Sequence, residues 1–502
     1  MLSPDVVSLY LRQRRLLRAG VWAVFGAIAA LGQAPFGWAL ASLLGFATAF
    51  GAFAKLRELE NPKLMGWAFG FGYFLLTLQW LVSPFLVEPE QYGWMAPFAV
   101  MLMSGGLALF WGAAFWGSAR LGYSSALIFT LPLAELARAY VLTGFAWGMP
   151  AYGLVDSALG QGASLVGSHG LNVLFLLIAW AMAKLILVEG GWRRFYAVLA
   201  VIGVVAVLWP APEARVPQSN APMIRVVQPN ATQRDKWNPD VMPAIFERAL
   251  DLTRQPSDVP IALTIWPETS LPEILNYGDS YLAEVTAAAG LSPVVIGANR
   301  FEGSLLFNSA VLLGSDGEAK AIYDKNHLVP FGEYLPFGEF FARFGYYGMA
   351  ASQGNGFSSG EAGELMDLGP VGRAFPLICY EVVFPQDVRA SRSRPDMLMQ
   401  ITNDAWFGNF SGPYQHLVQA QMRSIETGLP MVRAANTGVS AMIDARGRIV
   451  AQLPLNEAGY LDVQRQDPLA ETLYAWVGDA PILAFLIAVL LGYAVRRPSE
   501  FA

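Results

Sequence analysis

Between Leu16 and Pro210 the chain is an almost unbroken series of apolar segments. Each approaches the roughly 20 residues that a helix needs to cross a bilayer. No soluble fold has room for so much apolar helix, so this stretch commits the first part of the chain to a membrane. Seven helices are predicted, over 16–33, 36–54, 64–83, 93–117, 123–141, 170–188 and 193–210. Charge, turns and short β-rich runs then return, until 473–495 gives an eighth apolar segment. The expected organisation is 1–215 as transmembrane helices one to seven, 216–468 as a soluble domain, and 469–502 as helix eight with its tail. Composition agrees: 54% of residues are hydrophobic and only 14% charged, against about 25% charged in ordinary soluble domains. The net charge of −6 offers no basic footprint for nucleic acid.

Lys and Arg in short loops set orientation. With eight spans, the arginine-rich N-terminus, Lys55/Arg57/Lys63, Arg120, Lys184/Arg193/Arg194 and Arg496/Arg497 fall on one side. Both termini are therefore expected in the cytoplasm and the 216–468 domain outside it. Glu135 and Arg138 lie three apart in a predicted span, so they share a helix face and are expected to pair. Lys184 is expected to snorkel to the interface. Thr143–Pro150 reads either as lining for a lipid-accessible cavity or as an interfacial aromatic anchor.

The 216–468 segment alternates strands and helices. Strands are predicted at 223–227, 261–266, 293–298, 375–378, 397–402, 431–434, 440–444 and 449–453, with helices at 238–254, 281–289 and 415–427. Residues 309–314 and 319–323 read as a hairpin around Ser315-Asp-Gly. The pattern predicts a layered α/β sandwich of single-domain size.

Three polar residues stand where strands end: Glu268 in Trp266-Pro-Glu-Thr, Lys325 in Asp324-Lys-Asn-His, and Cys379 in Ile378-Cys-Tyr-Glu. Ligand sites in open α/β sheets form at such ends. Cys379 is the only cysteine, so no intrachain disulfide is available to it. A lone cysteine reads first as a small buried hydrophobe, and strand-end carboxylates and lysines are usually just solvated. Together the three give a coherent chemistry: Glu268 as general base, Cys379 as nucleophile on an acyl carbonyl, and Lys325 stabilising the oxyanion. His327, His169 (expected in a membrane-side loop) and His416 (at a helix start) read as structural. No zinc-ligand spacing and no phosphate-binding glycine loop is present in the sequence.

These settings, with the longer run Asp324-Lys-Asn-His-Leu-Val-Pro-Phe-Gly-Glu-Tyr-Leu-Pro336, resemble the nitrilase superfamily. With seven spans before the domain and one after, the whole chain resembles its membrane-embedded branch, the apolipoprotein N-acyltransferases of Gram-negative bacteria. The resemblance implies a nitrilase-like αββα sandwich on the periplasmic side of the inner membrane. It implies transfer of an acyl chain from a phospholipid, through a cysteine thioester, to the α-amine of a diacylglyceryl-cysteine lipoprotein. Residue by residue, it places the triad on Glu268, Lys325 and Cys379 and supporting roles on Trp237, Glu333, Tyr380 and Glu381. Asn403-Asp-Ala-Trp-Phe-Gly408 and Pro413-Tyr-Gln-His416 match segments near the active-site mouth. The resemblance implies no metal or soluble cofactor, and a monomer is expected. Phe331 to Met349, rich in aromatic residues and glycine, reads as a lid dipping into lipid. A membrane-tethered amidase that uses water as acceptor stands as the alternative enzyme, and a catalytically dead lipoprotein-binding scaffold as the alternative outside enzymes.

Overall fold

The computed structural model describes residues 4–213, 220–336, 343, 356–391 and 393–496, with side chains from residue 15 onward. The chain divides into two compact units, Met1–Ala211 with Val477–Ala502, and Pro212–Trp476.

Every segment predicted to span is helical, but the lengths differ from expectation. Among the described residues four helices are long and apolar enough to cross a membrane: Ala39–Leu56, Pro89–Arg120, Gly160–Leu187 and Gly191–Leu208. Pro62–Thr77 and Gln79–Leu86 make a fifth if that pair, bent by 49°, is one span. The apolar helices make this a membrane protein, and among the described residues four or five of the eight expected spans are long and apolar enough to cross. Leu127–Tyr140 has only 14 residues, about 21 Å of rise against a hydrocarbon core of about 30 Å. The last segment breaks at Gly478, whose φ of +64° ends one helix before Ala480–Val495 begins. Hydropathy registers apolar residues, not the breaks between them.

Glu135 and Arg138 pair as expected, at 2.5 Å, with both side chains 1% exposed. Trp111 Nε1 donates to Glu135 at 2.7 Å, and the Arg138 guanidinium donates to the carbonyls of Phe145 and Trp147. A buried ion pair survives only with its remaining valences filled, and here the 143–150 segment fills them. Trp147 is fully buried, so that segment is interior to its unit and is not an interfacial aromatic anchor. His169 is likewise buried within a helix, Ala163–Leu187, rather than in a loop.

The second unit holds two six-stranded sheets. The strands are β1 (Met223–Gln228), β2 (Ile261–Ile265), β3 (Val294–Glu302), β4 (Leu305–Leu313), β5 (Ala319–Asp324), β6 (Met366–Asp367), β7 (Arg373–Ile378), β8 (Met397–Thr402), β9 (Met431–Ala435), β10 (Ser440–Ile443), β11 (Ile449–Leu453) and β12 (Gly459–Gln464). The orders are β12-β1-β2-β3-β4-β5 and β11-β10-β9-β8-β7-β6. In each sheet three parallel strands, β1–β3 or β7–β9, are flanked by antiparallel ones. The two sheets therefore repeat one topology. Helices Met242–Arg254 and Asp279–Ala289 cover the first, burying Phe246, Leu250 and Val285 against Trp266, Val294 and Ile296. Helix Gly412–Thr427 covers the second through Leu417 and Ala420. Truncating a fully buried side chain such as Trp266 to alanine costs about 3–5 kcal/mol. The sheets meet through Gln228, whose Oε1 accepts from the Ser440 amide at 3.1 Å. The result is a helix–sheet–sheet–helix sandwich. Sequence patterning had not marked β12, which pairs with β1 along its whole length.

Candidate active site

Glu268 lies just past β2, and a glycine makes its position possible. A Cβ at Gly297 of β3 would lie 2.4 Å from the Thr269 nitrogen and 2.6 Å from the Glu268 Cα. The glycine lets the Glu268 turn lie flat on the strand, and its carbonyl accepts from the Ser270 and Leu271 amides. Thr269 takes a φ of +48°. Lys236 clamps the turn from the other side, donating to the Glu268 carbonyl at 3.0 Å and the Thr269 hydroxyl at 3.1 Å. Burial lowers the Lys236 pKa to about 8, against the opposing pull of Glu268 and Cys379.

The Glu268 carboxylate is fixed at both oxygens. Oε1 accepts from Asn308 Nδ2 at 2.8 Å, and Oε2 from the Asn403 amide at 2.8 Å. Lys325, just past β5, brings Nζ to 3.7 Å from Glu268 and 2.7 Å from Glu333. Asn308 also reaches Glu333 at 3.4 Å, and the Val329 amide donates to Glu333 at 2.8 Å. Burial alone would lower the Lys325 pKa, but the Glu333 and Glu268 carboxylates outweigh it and hold the ammonium charged.

Cys379 ends β7 with a φ of +50°, a backbone conformation uncommon for a side chain with a Cβ. Burial pushes its thiol pKa up and Glu268 adds to that, while Lys325 pulls it down. The thiol thus lies in the field of both residues. Glu381 ties the cysteine loop to the lysine loop. Its carboxylate accepts from the Ile378 amide at 2.6 Å, the Asn326 amide at 2.7 Å, the Tyr323 hydroxyl at 3.0 Å and the His327 amide at 3.2 Å. Burial raises the pKa of Glu381 to about 7, the amide donors opposing. Tyr380 packs edge-on against Phe384 and His327. His327 stacks flat on Phe384 and meets Asp387 at 2.6 Å, so it is a packing residue.

Of the residues singled out in sequence, the structure gathers Glu268, Lys325, Glu333, Cys379 and Glu381 into one buried cluster. Trp237 is half-exposed, and with Lys236, Phe246, Glu268, Leu271 and Asn436 it lines a cavity beside the Glu268 turn. Phe331 to Pro336 belong to the described chain, whereas the rest of the expected lid, apart from Arg343, lies outside the described residues. Sequence reasoning missed Asn308 and Lys236, which carry no motif of their own. No cluster of three or more potential metal ligands occurs among the described residues.

The sandwich belongs to the carbon-nitrogen hydrolase class, because residues 223–474 match the family model described as Carbon-nitrogen hydrolase. Residues 25–181 match a second model, described as Apolipoprotein N-acyltransferase N-terminal domain. A protein named apolipoprotein N-acyltransferase from Rhodopseudomonas palustris is 35% identical over 96% of this chain and 95% of its own. Proteins of the same name from Sinorhizobium medicae and Rhizobium etli are 36% and 35% identical, covering 89% and 97% of this chain and 89% and 98% of their own. The chain belongs to the apolipoprotein N-acyltransferase family.

Proposed function

We propose that this protein moves an acyl chain from a membrane phospholipid to the N-terminal α-amine of diacylglyceryl-cysteine lipoproteins. The observation that carries the reading is the Lys325 ammonium held between Glu268 and Glu333, in a chain whose one thiol lies in the same field. In the first half-reaction Glu268 takes the Cys379 proton as sulfur attacks the ester carbonyl. Lys325 faces the developing oxyanion. On collapse the lysophospholipid alkoxide leaves with the proton from Glu268, and a thioester remains. In the second half-reaction the acceptor amine attacks the thioester, gives its proton to Glu268 and expels the thiolate, which regains that proton. Glu333 keeps Lys325 charged and aimed, and Glu381 holds the two loops in register.

The membrane unit has a purpose in this chemistry, because an acyl donor embedded in lipid requires a tethered catalyst. In this reading the eight apolar segments cross the inner membrane with both termini cytoplasmic, so the 216–468 domain works as a monomer on the periplasmic face. Trp237 and Tyr380 border the approach of substrate. An amidase acting on soluble amides would have no use for the apolar helices. The test is to mix the full-length protein, a phospholipid and a diacylglyceryl-cysteine lipopeptide. The lipopeptide should gain one acyl mass at its amine, and Cys379→Ser should abolish that gain. Release of free fatty acid with no acylated lipopeptide would favour hydrolysis instead.

A further inference from the structure

At the carbonyl of the nucleophile lies a second polar cluster with no part in the steps above. The carbonyl of Cys379 accepts two side-chain hydrogen bonds, from His416 Nε2 at 3.0 Å and Gln400 Nε2 at 3.1 Å. His416 Nδ1 lies 2.9 Å from Asp404 Oδ1, and Arg433 bonds Asp404 Oδ2 at 2.5 Å. Arg433 also donates to Gln400 Oε1 and lies 3.2 Å from His416 Nδ1. The Thr402 hydroxyl completes the Asp404 shell at 2.9 Å. Gln400, Asp404, His416 and Arg433 are all fully buried, and they come from β8, the turn after it, the helix Gly412–Thr427 and β9.

Such a cluster is expensive to bury unless every member is satisfied, and here its valences converge on one peptide. That peptide carries the left-handed backbone of the nucleophile, a strained conformation that persists only where its surroundings over-determine it. We propose that His416 is a positioning residue, which donates Nε2–H to the Cys379 carbonyl and thereby fixes the backbone from which the thiol reaches substrate. His416 Nε2 lies 3.0 Å from the Cys379 carbonyl, which only accepts, and 3.3 Å from Gln400 Nε2, which only donates. The shorter contact assigns the hydrogen to Nε2. In a neutral ring so protonated Nδ1 accepts from Arg433, and in a cationic ring Nδ1 donates to Asp404. Burial raises the Asp404 pKa, but Arg433 and His416 overcome this and bring it down to about 2, so the anchor of the ring is charged throughout the working range. The inference deepens the acyltransferase reading and rests on it for its substrate.

Two conservative variants separate positioning from mere packing. The amide of Gln reaches the place of Nε2, whereas the shorter amide of Asn reaches only the place of Nδ1. His416→Gln should therefore keep acyl-adduct formation on Cys379 within about threefold of wild type. His416→Asn should lose at least about tenfold in the rate at saturating phospholipid, with the half-saturating concentration unchanged. Iodoacetamide alkylation of Cys379, the only thiol in the chain, supplies a readout that needs no lipid substrate, and the Asn variant should again differ from the Gln variant. Equal behaviour of the two variants in both assays, whether both active or both impaired, would overturn the proposal. A wild-type protein that forms no adduct would refute the acyltransferase reading, while the alkylation contrast would still decide the role of His416.

Discussion

Lys325 lies 2.7 Å from Glu333, a full ångström closer than its 3.7 Å to Glu268. The ammonium is thus tethered mainly by the carboxylate outside the proposed triad. Glu268, bonded by Asn308 and the Asn403 amide, keeps its own place. The two glutamates therefore divide the labour, one holding the lysine and the other handling the proton.

That division predicts unequal losses. Glu268→Gln removes the base and should lower acyl-adduct formation by about 10²–10⁴-fold, the usual worth of positioned acid–base catalysis. Glu333→Gln leaves Lys325 with Glu268 and should cost less, about 10–100-fold, mainly through loss of the aim of the ammonium. Rapid-quench measurement of the adduct checks the order. Equal losses would merge the two roles.

Gly297→Ala tests the turn. The new Cβ would press on the backbone of Glu268 and Thr269, at 2.6 and 2.4 Å, and neither can yield without shifting the carboxylate. Misplacement by about 1 Å is worth about a hundredfold in rate. The variant should keep its helix and strand content by circular dichroism and lose about that much acylation rate. Full activity would show that the turn has slack.

The thiol predicts a pH profile. With burial and Glu268 both raising its pKa above the ordinary thiol value of 9.0, Cys379 is protonated at neutral pH in the resting site. Alkylation by iodoacetamide should then climb by about tenfold per pH unit between pH 7 and 9, without a plateau. A plateau beginning near neutrality would mean a pre-formed thiolate, and Glu268 would not be needed as base.

Lys236 predicts a stability profile. Its pKa falls from 10.5 to about 8 on folding. Between those values the unfolded chain holds a proton that the folded chain lacks, so stability rises with pH through that window. From pH 8 to pH 10 the wild type should gain about 2 kcal/mol relative to Lys236→Met. Denaturant titrations in detergent at both pH values provide the comparison, and parallel profiles would contradict the assigned burial.

The sequence carried the strand ends well. Glu268 and Cys379 each follow an apolar run and Lys325 follows the hairpin, and β8 falls where patterning put it, Met397–Thr402. Local pattern could not report which strands become neighbours. His416 reads in sequence only as a structural residue at a helix start. Its role depends on the β7-β8-β9 order, which sets the helix against the end of β7. Asn308 sits mid-strand in an apolar run, and only the convergence of two carboxylates gives it meaning. The membrane segments were legible as apolar stretches, but their breaks at Leu78 and Gly478 depend on backbone geometry that hydropathy does not register. β12 was hidden because five of its six residues are only half-buried, so no alternation marks it.

The most direct test is the mass of the intact protein after incubation with phospholipid alone. The expected result is one added acyl chain, removed by hydroxylamine, present on wild type and absent from Cys379→Ser. Folded protein that gains no such mass, or gains it equally without Cys379, would contradict a thioester mechanism.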